Sequence, residues 1–96
     1  MKTKQKFIVR CDRAGVFFGE IKSKTTESII MTNVRKVFYW DGSCAVEELA
    51  LNGTTKPESC KLTVVIPEME LDKPIQIIPC TEKATKILNT IQIWKK

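Results

Sequence analysis

Between Ile29 and Trp40 the chain reads Ile-Ile-Met-Thr-Asn-Val-Arg-Lys-Val-Phe-Tyr-Trp, without a proline or a glycine. β-Branched and aromatic side chains fit a pleated, half-buried surface, so the run reads as one long strand. Asp41-Gly42 then ends it. A strand this long needs partners along its length, and that requirement shapes every other assignment. By the two-residue strand period, Arg35, Val37 and Tyr39 share one face, and Lys36, Phe38 and Trp40 the other. The apolar phase is untidy near Asn33, which predicts a bend or bulge there.

The partners lie on both sides in sequence. Phe7, Val9 and Cys11 alternate with Lys6, Ile8 and Arg10; Asp12-Arg-Ala-Gly15 forms a turn, and Val16 to Lys22 resumes the pattern. Residues 5–22 therefore read as a β-hairpin, and the long strand completes an antiparallel meander. Ser43 is expected to cap a short helix, Cys44 to Leu51, burying Val46, Leu49 and Ala50, with Asn52-Gly53 as its stop. Leu62 to Ile66 reads as a strand closed by Pro67, followed by a half-buried edge segment carrying Met69 and Leu71. Ile75 to Ile78 is a further strand. Thr81 caps a second helix, Glu82 to Asn89, whose apolar side holds Ala84, Ile87, Leu88 and Ile91. A last short strand is expected at Gln92 to Trp94. The fold class is β-rich α+β: a small antiparallel sheet or partly open barrel of about five to seven strands with two short helices.

With 96 residues, residues 1–96 are expected to form a single domain with one modest core. An apolar fraction of 43% and a charged fraction of 28% belong to an ordinary soluble domain. No apolar run approaches the roughly 18 residues of a membrane span, and the basic N-terminus does not read as a secretory signal. A cytoplasmic location is expected. The cysteines at 11, 44, 60 and 80 are too widely spaced for the usual zinc knuckles. Reduced thiols acting as small hydrophobes are the expected state, with neither a metal nor another cofactor. Histidine is absent, which removes the common general base near neutral pH, and nothing in the spacing advertises a catalytic carboxylate, lysine or thiolate. A non-enzyme is expected.

The net charge of +5 is unevenly spread. Residues 1–40 carry nine Lys/Arg against three acids, residues 41–72 two against seven, and residues 73–96 five against one. A dipolar surface of this kind steers an anionic ligand, or supplies complementary patches for self-association. The candidate ligand-binding set is Arg10, Arg13, Asn33, Arg35, Lys36, Tyr39 and Trp40. Guanidinium forks match phosphate oxygens, and aromatic rings accept the face of a base. The competing reading is a solvated basic face with Phe38 and Trp40 in the core. The set also requires the first and third strands to lie close together. The alternating acids Glu68, Glu70 and Asp72 read as the outer face of an edge strand rather than a metal site.

The blocks Arg10-Cys-Asp-Arg-Ala-Gly-Val-Phe17, Thr32-Asn-x-Arg35, Tyr39-Trp40-x-Gly42, Pro57-x-x-Cys60 and Trp94, in that order, resemble a largely uncharacterised family of small phage and prophage proteins. The resemblance implies a viral origin and expression in a bacterial cytoplasm, and hands over no activity and no ligand residues. It suggests an anti-defence protein, a homo-oligomeric sponge sequestering a nucleotide immune signal in a basic, aromatic pocket. The alternatives are a nucleic-acid-binding accessory protein, a phage structural or assembly component, and a binder of host proteins.

Overall fold

The alternation in the first forty residues folds as a meander: β1 (Phe7–Cys11), β2 (Gly15–Lys24) and β3 (Ser28–Tyr39) pair antiparallel in chain order. The computed structural model describes residues 5–12, 14–43 and 45–93. Helix α1 (Val46–Asn52) and a 3-10 turn (Pro57–Ser59) lead to β4 (Lys61–Leu62), β5 (Ile66–Asp72), β6 (Pro74–Pro79) and helix α2 (Glu82–Asn89). The strands form one six-stranded sheet in the order β4-β3-β2-β1-β6, with β5 also paired to β3. β4 and β5 share one edge of β3: Leu62 lies opposite Val37, and Ile66 to Asp72 run opposite Val34 to Ser28.

The sheet is strongly bent but not closed into a barrel. β5 and β6 lie on opposite sides of the meander, yet Lys73 alone joins them. Its N–H donates to the Glu27 carbonyl (2.8 Å), and its carbonyl accepts from the Asp12 N–H (3.0 Å). One residue thereby ties the end of β1 to the start of β3. Each face of the sheet carries its own core. On one face Ile8, Phe18 and Val37 pack against Val46, Leu49 and Ala50 of α1 and Ala84 and Leu88 of α2. On the other, Val9, Cys11, Phe17, Ile29, Met31, Val34 and Leu71 pack together. β2 and β3 approach closely at Gly19, where a Cβ would lie 2.8 Å from the Val34 Cα.

Several expectations hold at residue level. α2 spans Glu82–Asn89, and the Thr81 hydroxyl accepts from the Ala84 N–H (3.1 Å). The irregularity near Asn33 is a bulge: Asn33 takes φ of 46°, and the β2–β3 register shifts beside it. Others need correction. α1 starts at Val46 rather than Cys44, behind an extended Ala45, and no side chain caps it; Ser43 instead donates its hydroxyl to Glu48 (3.3 Å). The strand expected at 62–66 is two strands broken at 63–65, where the Thr63 N–H still reaches β3 at the Lys36 carbonyl (3.0 Å), and Pro67 lies inside β5 rather than closing a strand. An edge strand has one unpaired side, where a missing N–H costs nothing. Ile93 forms an isolated parallel bridge with Leu62, and Trp94 lies outside the described residues.

The Asn33 bulge is held by a polar cluster on Glu20. Its carboxylate pairs with Lys6 (3.2 Å) and accepts from the Thr32 hydroxyl and the Asn33 amide (3.2 Å each). Burial alone would raise the Glu20 pKa, but Lys6, Asn33 and Thr32 together pull it below 4.5. A carboxyl depressed on folding stabilises the fold above its unfolded pKa, and that contribution fades as pH falls through the folded value. Thermal midpoints measured from about pH 6 to about pH 3 are therefore expected to drop below pH 4.5 more steeply for the native protein than for Glu20→Gln. Parallel curves would show that Glu20 is not coupled to folding.

Candidate functional site

The sheet separates the candidate binding residues. β2 lies between β1 and β3, and the register sets Arg35 across from Ile8 rather than Arg10, so the two arginines stand farther apart than two strand spacings, beyond roughly 10 Å. Arg35 lies opposite Phe18 on the helix-bearing face and is 5% exposed. Its Nε donates to the Thr63 carbonyl (2.8 Å) and its Nη1 to the Leu88 carbonyl at the end of α2 (3.4 Å). Its Nη2 is buried without a partner among the described residues, and burial lowers its pKa. Arg35 is thus a clamp between β3, the 63–65 break and α2. Asn33 is committed to Glu20 at the bulge.

Lys36 stands on the opposite face from Arg35, with its ammonium 5.5 Å from the centre of the Phe38 ring. Phe38 is 54% exposed and so lies outside the core. Tyr39 is similarly exposed, under the Lys61 ammonium at 5.9 Å. Trp40 lies beyond the end of β3, so strand alternation no longer governs it. It packs against the core on the helix-bearing face, rather than beside Lys36 and Phe38. Arg13 lies outside the described residues.

Arg10 and Trp40 line the same cleft. Val37, Val16, Arg10 and Gln76 form one row across β3, β2, β1 and β6, on the face that carries α1. Val46 and Glu47, in the first turn of α1, overlook this row, and Trp40 closes it from the end of β3. The result is a cleft of about 360 Å³ lined by Arg10, Val16, Trp40, Ala45, Val46 and Glu47. That is enough room for a small ligand.

The turn after Trp40 is pinned through its backbone. The Asp41 carbonyl accepts from the buried Thr54 hydroxyl, and the Gly42 carbonyl from the Thr55 N–H. Gly42 has φ of 78°, and a Cβ there would lie 2.6 Å from the Thr54 hydroxyl oxygen. Glycine alone fits that bend. Across the cleft, Gln76 Nε2 donates to a Glu47 carboxylate oxygen (3.0 Å). That bond, the Glu47 backbone N–H and the positive charge of Arg10 hold the Glu47 carboxyl below its usual range. Glu47 and Gln76 are functional candidates that sequence reasoning missed. They lie 29 positions apart, and only the packing of α1 over β6 brings them together.

A larger groove of about 600 Å³ runs past Gln5, Phe7 and Lys22, with Glu20 and Glu68 in its wall. Among the described residues its lining cation, Lys22, is already paired with Glu68 (3.1 Å), and the Glu20 in its wall holds Lys6. It offers an anion little. Among the described residues no group of three or more His, Cys, Asp or Glu could hold a metal, and Cys11, Cys60 and Cys80 are free and buried. Burial pushes the Cys80 thiol up to about 12, which suits an inert core residue. Cys44 lies outside the described residues. No described helix is long and apolar enough to cross a membrane.

The architecture defines a small β-rich α+β protein: one bent antiparallel sheet with two helices and a mixed-charge, aromatic cleft on its helix-bearing side. Residues 4–88 match the family described as a domain of unknown function, DUF6948, and the chain belongs to that family. No curated protein and no solved structure matches it significantly.

Proposed function

We propose that this is a non-catalytic binding protein that captures a small anionic nucleotide in the cleft between Arg10 and Trp40. The observation that carries the reading is their convergence: a guanidinium for phosphate and an indole for a base line one cleft of suitable volume. Arg10 supplies the charge and Trp40 the stacking surface. Arg35 serves the fold, and Lys36 and Tyr39 lie outside the cleft. The resemblance to phage and prophage proteins supports a role as an anti-defence sponge in a bacterial cytoplasm. Self-association would deepen so open a site, which favours a homo-oligomer. The lack of any histidine supports binding over catalysis.

Arg10 is exposed, so Arg10→Ala should fold normally. Losing one charge-assisted contact should weaken nucleotide binding roughly 10- to 100-fold by calorimetry. Unchanged affinity would remove Arg10 from the site.

A second reading has its own observation. Phe38 and Tyr39 are exposed at the end of β3, each beneath a lysine ammonium. Exposed rings with flanking cations suit single-stranded nucleic acid. Binding of that kind would fall steeply with salt, whereas capture of a compact nucleotide in a cleft would be less sensitive.

A further inference from the structure

Apart from Arg10 and the Trp40 indole N–H, the one hydrogen-bonding side chain lining the cleft among the described residues is Glu47. An ionised carboxylate has no proton to give and accepts on both oxygens. Gln76 Nε2 donates to Oε2 and the Glu47 backbone N–H also donates to the carboxylate, which braces it; two oxygens with two lone pairs each still leave acceptor positions for a ligand. The edge of the cleft at Glu47 is therefore an acceptor pair on a braced side chain, beside an aromatic surface.

Bases differ in what they offer such an edge. Guanine presents N1–H and an N2 amino hydrogen side by side, two donors at a spacing that one carboxylate accepts together. Adenine and cytosine place a ring-nitrogen lone pair next to their amino group, and uracil flanks its single N–H with two carbonyls. Each of those would point a lone pair at the carboxylate. We infer that the cleft selects guanine nucleotides, with Glu47 accepting from N1–H and N2–H, Trp40 stacking the base and Arg10 holding phosphate. The selection rests on the nucleotide reading above.

The test is calorimetric titration of the native protein with the 5′-monophosphates of guanosine, inosine, adenosine and xanthosine, repeated on Glu47→Gln. The native protein should bind the guanosine form about 10- to 100-fold more tightly than the adenosine form, as for other bidentate base contacts. Inosine, which lacks the amino group, should fall between them. In Glu47→Gln the amide offers one acceptor and one donor, which matches the N1–H and C2 carbonyl of xanthine. Preference should therefore move from guanosine to xanthosine monophosphate. Glu47 is exposed, so the variant should unfold at the native temperature. Binding without base preference, or a preference that survives Glu47→Gln, would overturn the guanine assignment and leave nucleotide capture standing. If none of the four binds, nucleotide capture fails and the assignment with it.

Discussion

Phe18→Ala should cost about 3–5 kcal/mol of unfolding free energy. Phe18 is the largest fully buried side chain among the described residues, at 1% exposure. It sits in the layer between the meander and both helices, with Ile8, Val37, Leu49 and Leu88 in the same cluster. Truncation removes a whole ring from that layer, and paired strands beneath cannot collapse inward to fill the space. Domains of this size are stable by only about 5–15 kcal/mol, so the variant should stand near the edge of folding at ambient temperature. Urea titration of both proteins measures the difference. A loss below about 1 kcal/mol would mean that the helices do not pack on this face as described.

Arg35→Ala should destabilise the protein by roughly 2–3 kcal/mol, the scale of a lost hydrogen bond to a charged group in a buried setting. The Thr63 and Leu88 carbonyls both lose their guanidinium donor. The 63–65 break and the end of α2 then lose their common anchor. The buried charge itself opposes folding, because burial disfavours the ionised guanidinium and one of its nitrogens has no partner. Arg35→Met, which keeps an apolar stem and discards the charge, should therefore recover a large part of the loss. Arg35→Lys should not, since a single ammonium cannot reproduce a fork spanning two carbonyls. Urea midpoints across the three variants check the order. Native stability in Arg35→Ala, combined with lost ligand binding, would return Arg35 to the binding site.

The contrast between Arg35 and Arg10 shows what the sequence could express. Both are arginines within alternating strands, and local pattern gives them equal standing. Burial separates them: α2 covers Arg35, and Arg10 remains open at the mouth of the cleft. Helix α2 was legible because its signals are local, a threonine cap followed by apolar residues at helical spacing. The Asn33 bulge was legible from the broken apolar phase, although the cluster on Glu20 that stabilises it was not.

The run from Leu62 to Ile66 misleads for a physical reason. Its valines suggest a buried strand, yet Val64 and Val65 are 51% and 47% exposed. The Thr63 hydroxyl accepts from the Lys36 N–H, and the Thr63 carbonyl accepts from Arg35. With one backbone bond, from the Thr63 N–H to the Lys36 carbonyl, these side-chain bonds take the place of a regular ladder. The cleft was legible in two of its residues. Glu47 and Gln76 required the packing of α1 over β6, which no local pattern encodes.

Thermal unfolding of the purified protein against guanine and adenine mono- and dinucleotides, cyclic nucleotides and short DNA and RNA oligomers, at low and moderate salt, tests nucleotide capture most directly. Ligand that binds only the folded state stabilises it by about 2.7 kcal/mol at a hundredfold excess over Kd. The expected result is a large, salt-tolerant rise in midpoint with a small nucleotide, absent in Arg10→Ala. No rise with any small nucleotide, or rises only with oligomers that vanish as salt increases, would contradict capture in the Arg10–Trp40 cleft.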